Sequence, residues 1–195
     1  MQEDKLPAKI RLVAGVDAAY FDGWAVGAVA VLDYDSLQLV ESQAAKVAIR
    51  IPYIPTLLSF REIPPVIAAI RLLKSEPDVF LVDGQGLAHP YGCGFASHLG
   101  LAIGKPTIGV AKSRLVGEYV KIDDKAFLVY DGKVVSAVLT TKQGGKPIYV
   151  SVGNLVSLTS AVSIVEHATR SKRIPEPLLL AHRLATAKRK AAKKT

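Results

Sequence analysis

Two apolar runs in this chain each carry a carboxylate, and that pairing limits what the chain can become. Residues 10–20 (IRLVAGVDAAY) form a run rich in small and branched side chains, interrupted by Asp17. Residues 79–83 (VFLVD) form a second run, which ends in Asp83. Each reads as a buried strand. A carboxylate buried without a cation, a donor or a metal is costly, so each strand must meet a partner. The elements between and after them set the fold class. Residues 27–32 and 37–47 are strand-like and flank the turn DYDS; a Pro-punctuated stretch, IPYIPTLLSFREIPP, follows at 51–65. The spacing then predicts a helix over 66–74 with Pro64 and Pro65 in its first turn, where a missing N–H matters least.

After VFLVD comes a Gly-rich loop at 84–94, a helix over 95–103 and a strand at 107–111 (TIGVA). Strand-like pieces fill 118–152, with turns at DG 131–132 and GG 144–145. Helices are expected over 156–169 and from Glu176 onward, behind Pro175. The order β-β-β-α-β-α-β predicts an α/β domain whose first strands are antiparallel and whose later ones form parallel βαβ units.

At 195 residues the chain has the length of one domain with a sizeable core. We place its boundary at 1–184, followed by a basic tail at 185–195. One cysteine, Cys93, excludes an internal disulfide framework and a Cys-based zinc site, and suits a reducing cytosol. The amino terminus carries acids and a proline where a secretory signal needs apolar residues. The longest uncharged stretch, 84–104, holds six glycines, two histidines and a proline, which excludes a membrane span. A cytoplasmic monomer is expected. The net charge of +8 sits wholly at the carboxyl end: residues 167–195 hold nine Lys or Arg and one acid, Glu176. Such asymmetry fits attraction to a polyanion, nucleic acid first, or a solvated tail that aids solubility.

Ligand sites in open α/β sheets form at the carboxyl ends of strands. If the two carboxylate strands are neighbours, Asp17 and Asp83 share a cavity there, and Glu62 is a third candidate. Three hard oxygen ligands suit Mg²⁺ or Mn²⁺. The alternative is that Asp17 is a paired core acid and Asp83 caps its loop. His182 in LLLAHRL is structural or a ligand, and Lys112 after TIGVA holds a phosphate or is simply exposed. The loop DGQGLAHPYGCG (83–94) has glycines that allow close ligand approach. It lacks the spacing of a P-loop or dinucleotide fingerprint. PYIP (52–55) is a stiff projection able to wedge between stacked bases, or a rigid turn.

Taken together, VAGVDAAY (13–20), PYIPTLLSFRE (52–62), LVDGQGLAHPYGCGFASHLG (81–100), PTIGVAKSRL (106–115), YVSVGN (149–154) and RIPEPLLLAH (173–182) closely resemble endonuclease V, the inosine-directed nuclease family of the RNase H-like superfamily. The resemblance implies an RNase H-like α/β fold, a central mixed β-sheet with antiparallel first strands flanked by helices. It implies metal ligation by Asp17, Asp83, Glu62 and His182, with Lys112 beside the reacting phosphate. By the same matching, Pro52, Tyr53, Ile54 and Pro55 form a strand-separating wedge, and Leu58, Gly84, His89, Gly94 and Leu115 line the lesion pocket. The implied activity is Mg²⁺-dependent, with Mn²⁺ able to substitute. It cuts the second phosphodiester bond 3′ to deoxyinosine in DNA, leaving 3′-hydroxyl and 5′-phosphate ends. The alternatives are cleavage of inosine-containing RNA, a catalytically silent nucleic-acid-binding protein, or a structure-selective nuclease. Two positions depart from the family: Thr56 stands where Gly is common, and Val152-Gly153-Asn154 replaces a frequent Pro-Gly-His.

Overall fold

A computed structural model describes residues 4–50, 58–142 and 144–193, with Leu58 by its main chain alone. Three antiparallel strands open the chain, β1 (Leu12–Phe21), β2 (Trp24–Asp33) and β3 (Leu39–Ala48). Helix α1 (Leu58–Ile70) leads to β4 (Val79–Val82), and α2 (Phe95–Ile103) leads to β5 (Thr107–Ala111). A meander follows: β6 (Glu118–Ile122), β7 (Lys125–Tyr130), β8 (Lys133–Leu139) and β9 (Ile148–Asn154). Helices α3 (Leu158–His167) and α4 (Glu176–Ala192) close the fold. Among the described residues the strands form one sheet in the order β3-β2-β1-β4-β5-β9-β8-β7-β6. β4 lies parallel to both β1 and β5, and the other neighbours are antiparallel.

Both faces of the central strands are covered, which is why β1, β4 and β5 read as continuous apolar runs rather than alternating ones. Val13, Leu81, Ile108 and Val150 pack with Ile164 of α3 and Leu178 of α4 on one face. Ala14, Val16, Phe80 and Val82 pack with Val66 of α1 and Leu99 of α2 on the other. Full burial of a side chain such as Phe80 or Leu81 contributes about 1.5–3 kcal/mol. The described residues contain no helix long and apolar enough to cross a membrane.

Two elements differ from the sequence expectation. Helix α1 begins at Leu58 rather than near residue 66, so Pro64 and Pro65 lie inside it. A proline there removes a helix hydrogen bond and crowds the preceding turn. Tertiary packing overrides the penalty: a Cβ on Gly27 of β2 would lie 2.1 Å from the Pro65 carbonyl carbon, so only glycine admits this contact. Helix α4 runs on to Ala192, across the point where the composition turns basic.

Asn154 proves structural. It is buried, and its side-chain amide donates to the carbonyls of Gly100 (3.1 Å) and Lys105 (3.2 Å), joining β9 to the end of α2. Asn154→Ala is expected to destabilise by about 1–2 kcal/mol, because two main-chain acceptors lose their donor. Thermal unfolding checks this, with turnover of the folded protein unchanged.

Glu41 on β3 pins the segment after α1. Its carboxylate accepts from Ser75 Oγ (2.7 Å), Ser75 N (2.9 Å) and Lys74 N (3.0 Å). The Ser75 hydroxyl and amide lead in drawing its pKa down to about 2. The unfolded chain takes up this proton near 4.5, so the stabilisation is full above that pH and disappears as pH falls toward 2. Glu41→Gln is therefore expected to lower the melting temperature by roughly 2–4 °C at pH 7, about 1 kcal/mol after solvent screening. The gap to the parent should close between pH 4.5 and 2.

Candidate active site

Strand register brings the two carboxylates together. Val16 of β1 pairs with Val82 of β4, so Asp17 and Asp83 are the next residues along two parallel neighbours. By the two-residue period of strands both leave the sheet on the α4 face. His182 of α4 meets Asp17 there, with Nδ1 at 2.7 Å from Oδ2, while Asp17 Oδ1 accepts from the Ala18 amide at 2.8 Å. Asp83 accepts from the Lys112 ammonium, which follows β5. Glu62 approaches from α1 on the opposite face of the sheet.

The three acids repel one another. Burial, then Asp17 and Asp83, push the Glu62 carboxyl up to about 8. Burial and Asp83 also raise Asp17, against the lowering pull of His182. Among the described residues, no three His, Cys, Asp or Glu side chains stand gathered so as to hold an ion. Asp17 and Asp83 instead point to their own partners, His182 and Lys112. The donor chemistry nonetheless fits a hard divalent cation, because three carboxylates face one region with too little positive charge among them. A cation placed there would relieve the repulsion that adds to burial in raising Glu62.

Beside the carboxylates opens a cavity of about 410 Å³, walled by Gly84, His89 and Gly94 on one side and Lys112 and Leu115 on the other. Four of the five expected pocket residues thus gather. Leu58, the fifth, is described only by its main chain, and Pro52, Tyr53, Ile54, Pro55 and Thr56 lie outside the described residues. Of the four loop glycines only Gly92 takes a positive φ, 61°. Gly86 and Gly94 serve close packing instead: Gly86 N donates to Ser151 Oγ at 2.8 Å and Gly94 N to the Gly86 carbonyl at 2.9 Å. A larger cavity of about 670 Å³ lies over β7, β8 and α3, and none of these residues line it.

Several contributors escaped the sequence reading. Gln85 ties the two cavity walls together, its Nε2 donating to the Ser113 carbonyl at 3.0 Å. Arg173 Nη2 donates at 2.6 Å to the carbonyls of both Lys112 and Pro147, which steadies the main chain that carries Lys112. Tyr20 lies beside Glu62 with its hydroxyl buried and without a hydrogen-bond partner, and the Arg61 guanidinium stacks on its ring at 4.8 Å. Ser59, one helical turn before Glu62, also lines the cavity and meets His98 at 3.1 Å. The i, i+3 spacing of Ser59 and Glu62 was a usable signal. Arg173 offered none, because its partners are main-chain carbonyls far away in sequence.

Comparison with known proteins identifies the family. The sequence model of the family described as Endonuclease V matches residues 1–183. An endonuclease V of Thermofilum pendens is 47% identical over 189 residues, 96% of this chain and 82% of that protein. One from Nostoc punctiforme is 44% identical over 192 residues, 95% of this chain and 87% of that protein. The crystal structure of endonuclease V from Streptomyces avermitilis superposes with a TM-score of 0.91 at 38% identity, covering 98% of this chain and 88% of that one. That of Ciona intestinalis, in complex with a 24mer DNA containing an inosine followed by a ribo-adenosine, gives 0.86 at 31% identity, covering 98% and 92%. The mixed sheet, with its antiparallel opening strands and helix-linked parallel neighbours, is the RNase H-like α/β fold. With the match running from the first strand through His182, this chain belongs to the endonuclease V family.

Proposed function

We propose that this protein is a divalent-metal-dependent endonuclease that recognises deoxyinosine in DNA and hydrolyses the second phosphodiester bond on its 3′ side, leaving 3′-hydroxyl and 5′-phosphate ends. The observation that carries the reading is that Asp17, Glu62 and Asp83, from three separate elements, lie near enough to raise one another's or a neighbour's pKa, with Glu62 and Asp83 lining a cavity of about 410 Å³. Burial and mutual repulsion that raise Asp17 and Glu62 are a cost to the fold, and a bound cation would offset it. The complex of the Ciona relative with inosine-containing DNA supports the same substrate class.

Asp17, Glu62 and Asp83 would hold Mg²⁺, with Mn²⁺ able to substitute, and His182 joins this set through Asp17. The metal supplies Lewis-acid stabilisation of the charge that builds on a phosphate under attack. The remaining work falls to the chain. His182 fixes the rotamer of Asp17. Lys112, between Asp83 and the cavity, offers its ammonium to a phosphate oxygen. The cavity lined by Gly84, His89, Gly94 and Leu115 receives the base, which is taken out of the stack more cheaply where pairing is weak. Pro52, Tyr53, Ile54 and Pro55 would hold the gap open.

The test is cleavage of end-labelled DNA with one inosine, in Mg²⁺ and in EDTA, beside an inosine-free strand and an RNA version. A metal-dependent cut at the second bond 3′ to inosine is the expected result. Preferential cutting of the RNA would transfer the activity to inosine in RNA. No cut by folded, binding-competent protein would remove the reading.

A further inference from the structure

We propose that the exposed face of α4, together with an aromatic shelf on the β1–β2 hairpin, forms a track for the substrate strand 3′ of the cut. Thr186 follows His182 by four residues, and Arg189, Lys190 and Lys193 follow by seven, eight and eleven. At 3.6 residues per turn these are one, two and three turns, so the cations continue the face on which His182 meets Asp17. From His182 to Lys193 the helix rises about 16 Å, the length of roughly five stacked nucleotides.

The direction of α4 gives the track its polarity. Its first turn lies against Gly15 of β1. Ala185 packs on Ala19 and Ala28, and Lys188, Ala191 and Ala192 reach Val26 of β2 and Ala44–Lys46 of β3. The helix thus leaves the carboxylates toward β2 and β3, whereas the cavity lies the other way, at the ends of β4 and β5. A strand with its lesion base in that cavity and its scissile phosphate at the carboxylates passes onto α4 with its 3′ segment. This polarity rests on the cavity and cut position proposed above; the track itself does not.

Beyond the helix waits the shelf. Phe21 and Trp24 are partners in the β1–β2 hairpin, and Lys46 Nζ lies 5.4 Å and 4.3 Å from their ring centroids. Trp24, the only tryptophan of the chain, is 39% exposed. Cations interleaved with an open aromatic face suit a polynucleotide, whose phosphates meet the cations while a base stacks on the ring. Asp22 of the hairpin turn lies 4.0 Å from Lys193 and offsets part of that charge. An alternative function for Lys46 over Trp24 is to shield β3, an edge strand whose outer side pairs with no strand among the described residues.

Trp24 emission provides a readout independent of turnover. The full chain in EDTA would be titrated with an inosine strand, with versions trimmed just 3′ of the cut or just 5′ of the inosine, and with an inosine-free strand. The expected result is a change in Trp24 emission that disappears on 3′ trimming, with affinity lowered about tenfold. The triple variant Arg189→Gln, Lys190→Gln, Lys193→Gln should bind the full strand about tenfold more weakly, with its salt slope reduced by about two to three. It should lose little further on the 3′-trimmed strand. Unmoved Trp24 emission at saturation, or an unchanged salt slope in the variant, overturns the track. Dependence on the 5′ side with the variant effect intact keeps the track and overturns the cut position. A parent that does not distinguish inosine from control strands counts against the proposed lesion specificity alone.

Discussion

Asp83→Asn is expected to reduce strand cleavage by at least about 1,000-fold while binding in EDTA is retained. The size follows from charge in the proposed reaction: losing one of three carboxylates would withdraw several kcal/mol of metal and transition-state stabilisation, and about 4 kcal/mol is a factor of 1,000. Asparagine keeps the shape of the side chain, so β4 and the loop that follows it should be undisturbed. The substitution also frees the Lys112 ammonium from its carboxylate partner. A strand's phosphates then meet one negative charge fewer and one unpaired cation more, so affinity should hold or rise. Cleavage with Mg²⁺, binding in EDTA and a melting curve together separate the effects. Turnover within tenfold of the parent would remove Asp83 from the reaction, and a collapse of binding would make it a contact to nucleic acid.

What the sequence made legible was whatever depends on short-range pattern. β1, β4 and β5 are continuous apolar runs because helices cover both faces of the sheet, and their limits could be read to within a few residues. Helix α2 was read to its ends, Phe95 and Ile103. The start of α1 was not. Two prolines argue locally against a helix interior, and only Gly27, thirty-eight residues before Pro65, reveals why they fit. The site divides along the same line. Asp17 and Asp83 stood out as carboxylates in apolar runs, but pairing Asp17 with His182, 165 residues away, is invisible to spacing. Only the resemblance to a family joined them. The roles of Arg173 and Asn154 went unread because each acts on main-chain carbonyls, which leave no pattern of side chains to read.

The joint between fold and chemistry is Gly15, and Gly15→Val should damage both. A Cβ at this position would lie 2.2 Å from the Pro177 carbonyl carbon and 2.5 Å from the Leu178 amide nitrogen. Both belong to the first turn of α4, so no side-chain rotation relieves the clash and the helix itself must move off β1. Overpacking of this kind costs about 3 kcal/mol, which for a chain of this size lowers the melting temperature by roughly 6–12 °C. The same movement draws His182 away from Asp17, and a displacement of about 1 Å suffices to slow a positioned reaction about 100-fold. Assays well below the melting temperature would measure that loss in folded protein. A double-mutant cycle tests the route: adding His182→Ala to Gly15→Val should slow cleavage little further if both act through His182. Multiplying losses would mean that Gly15 matters to the reaction by some path other than the seat of α4, and an unchanged melting temperature would mean that α4 can shift without strain.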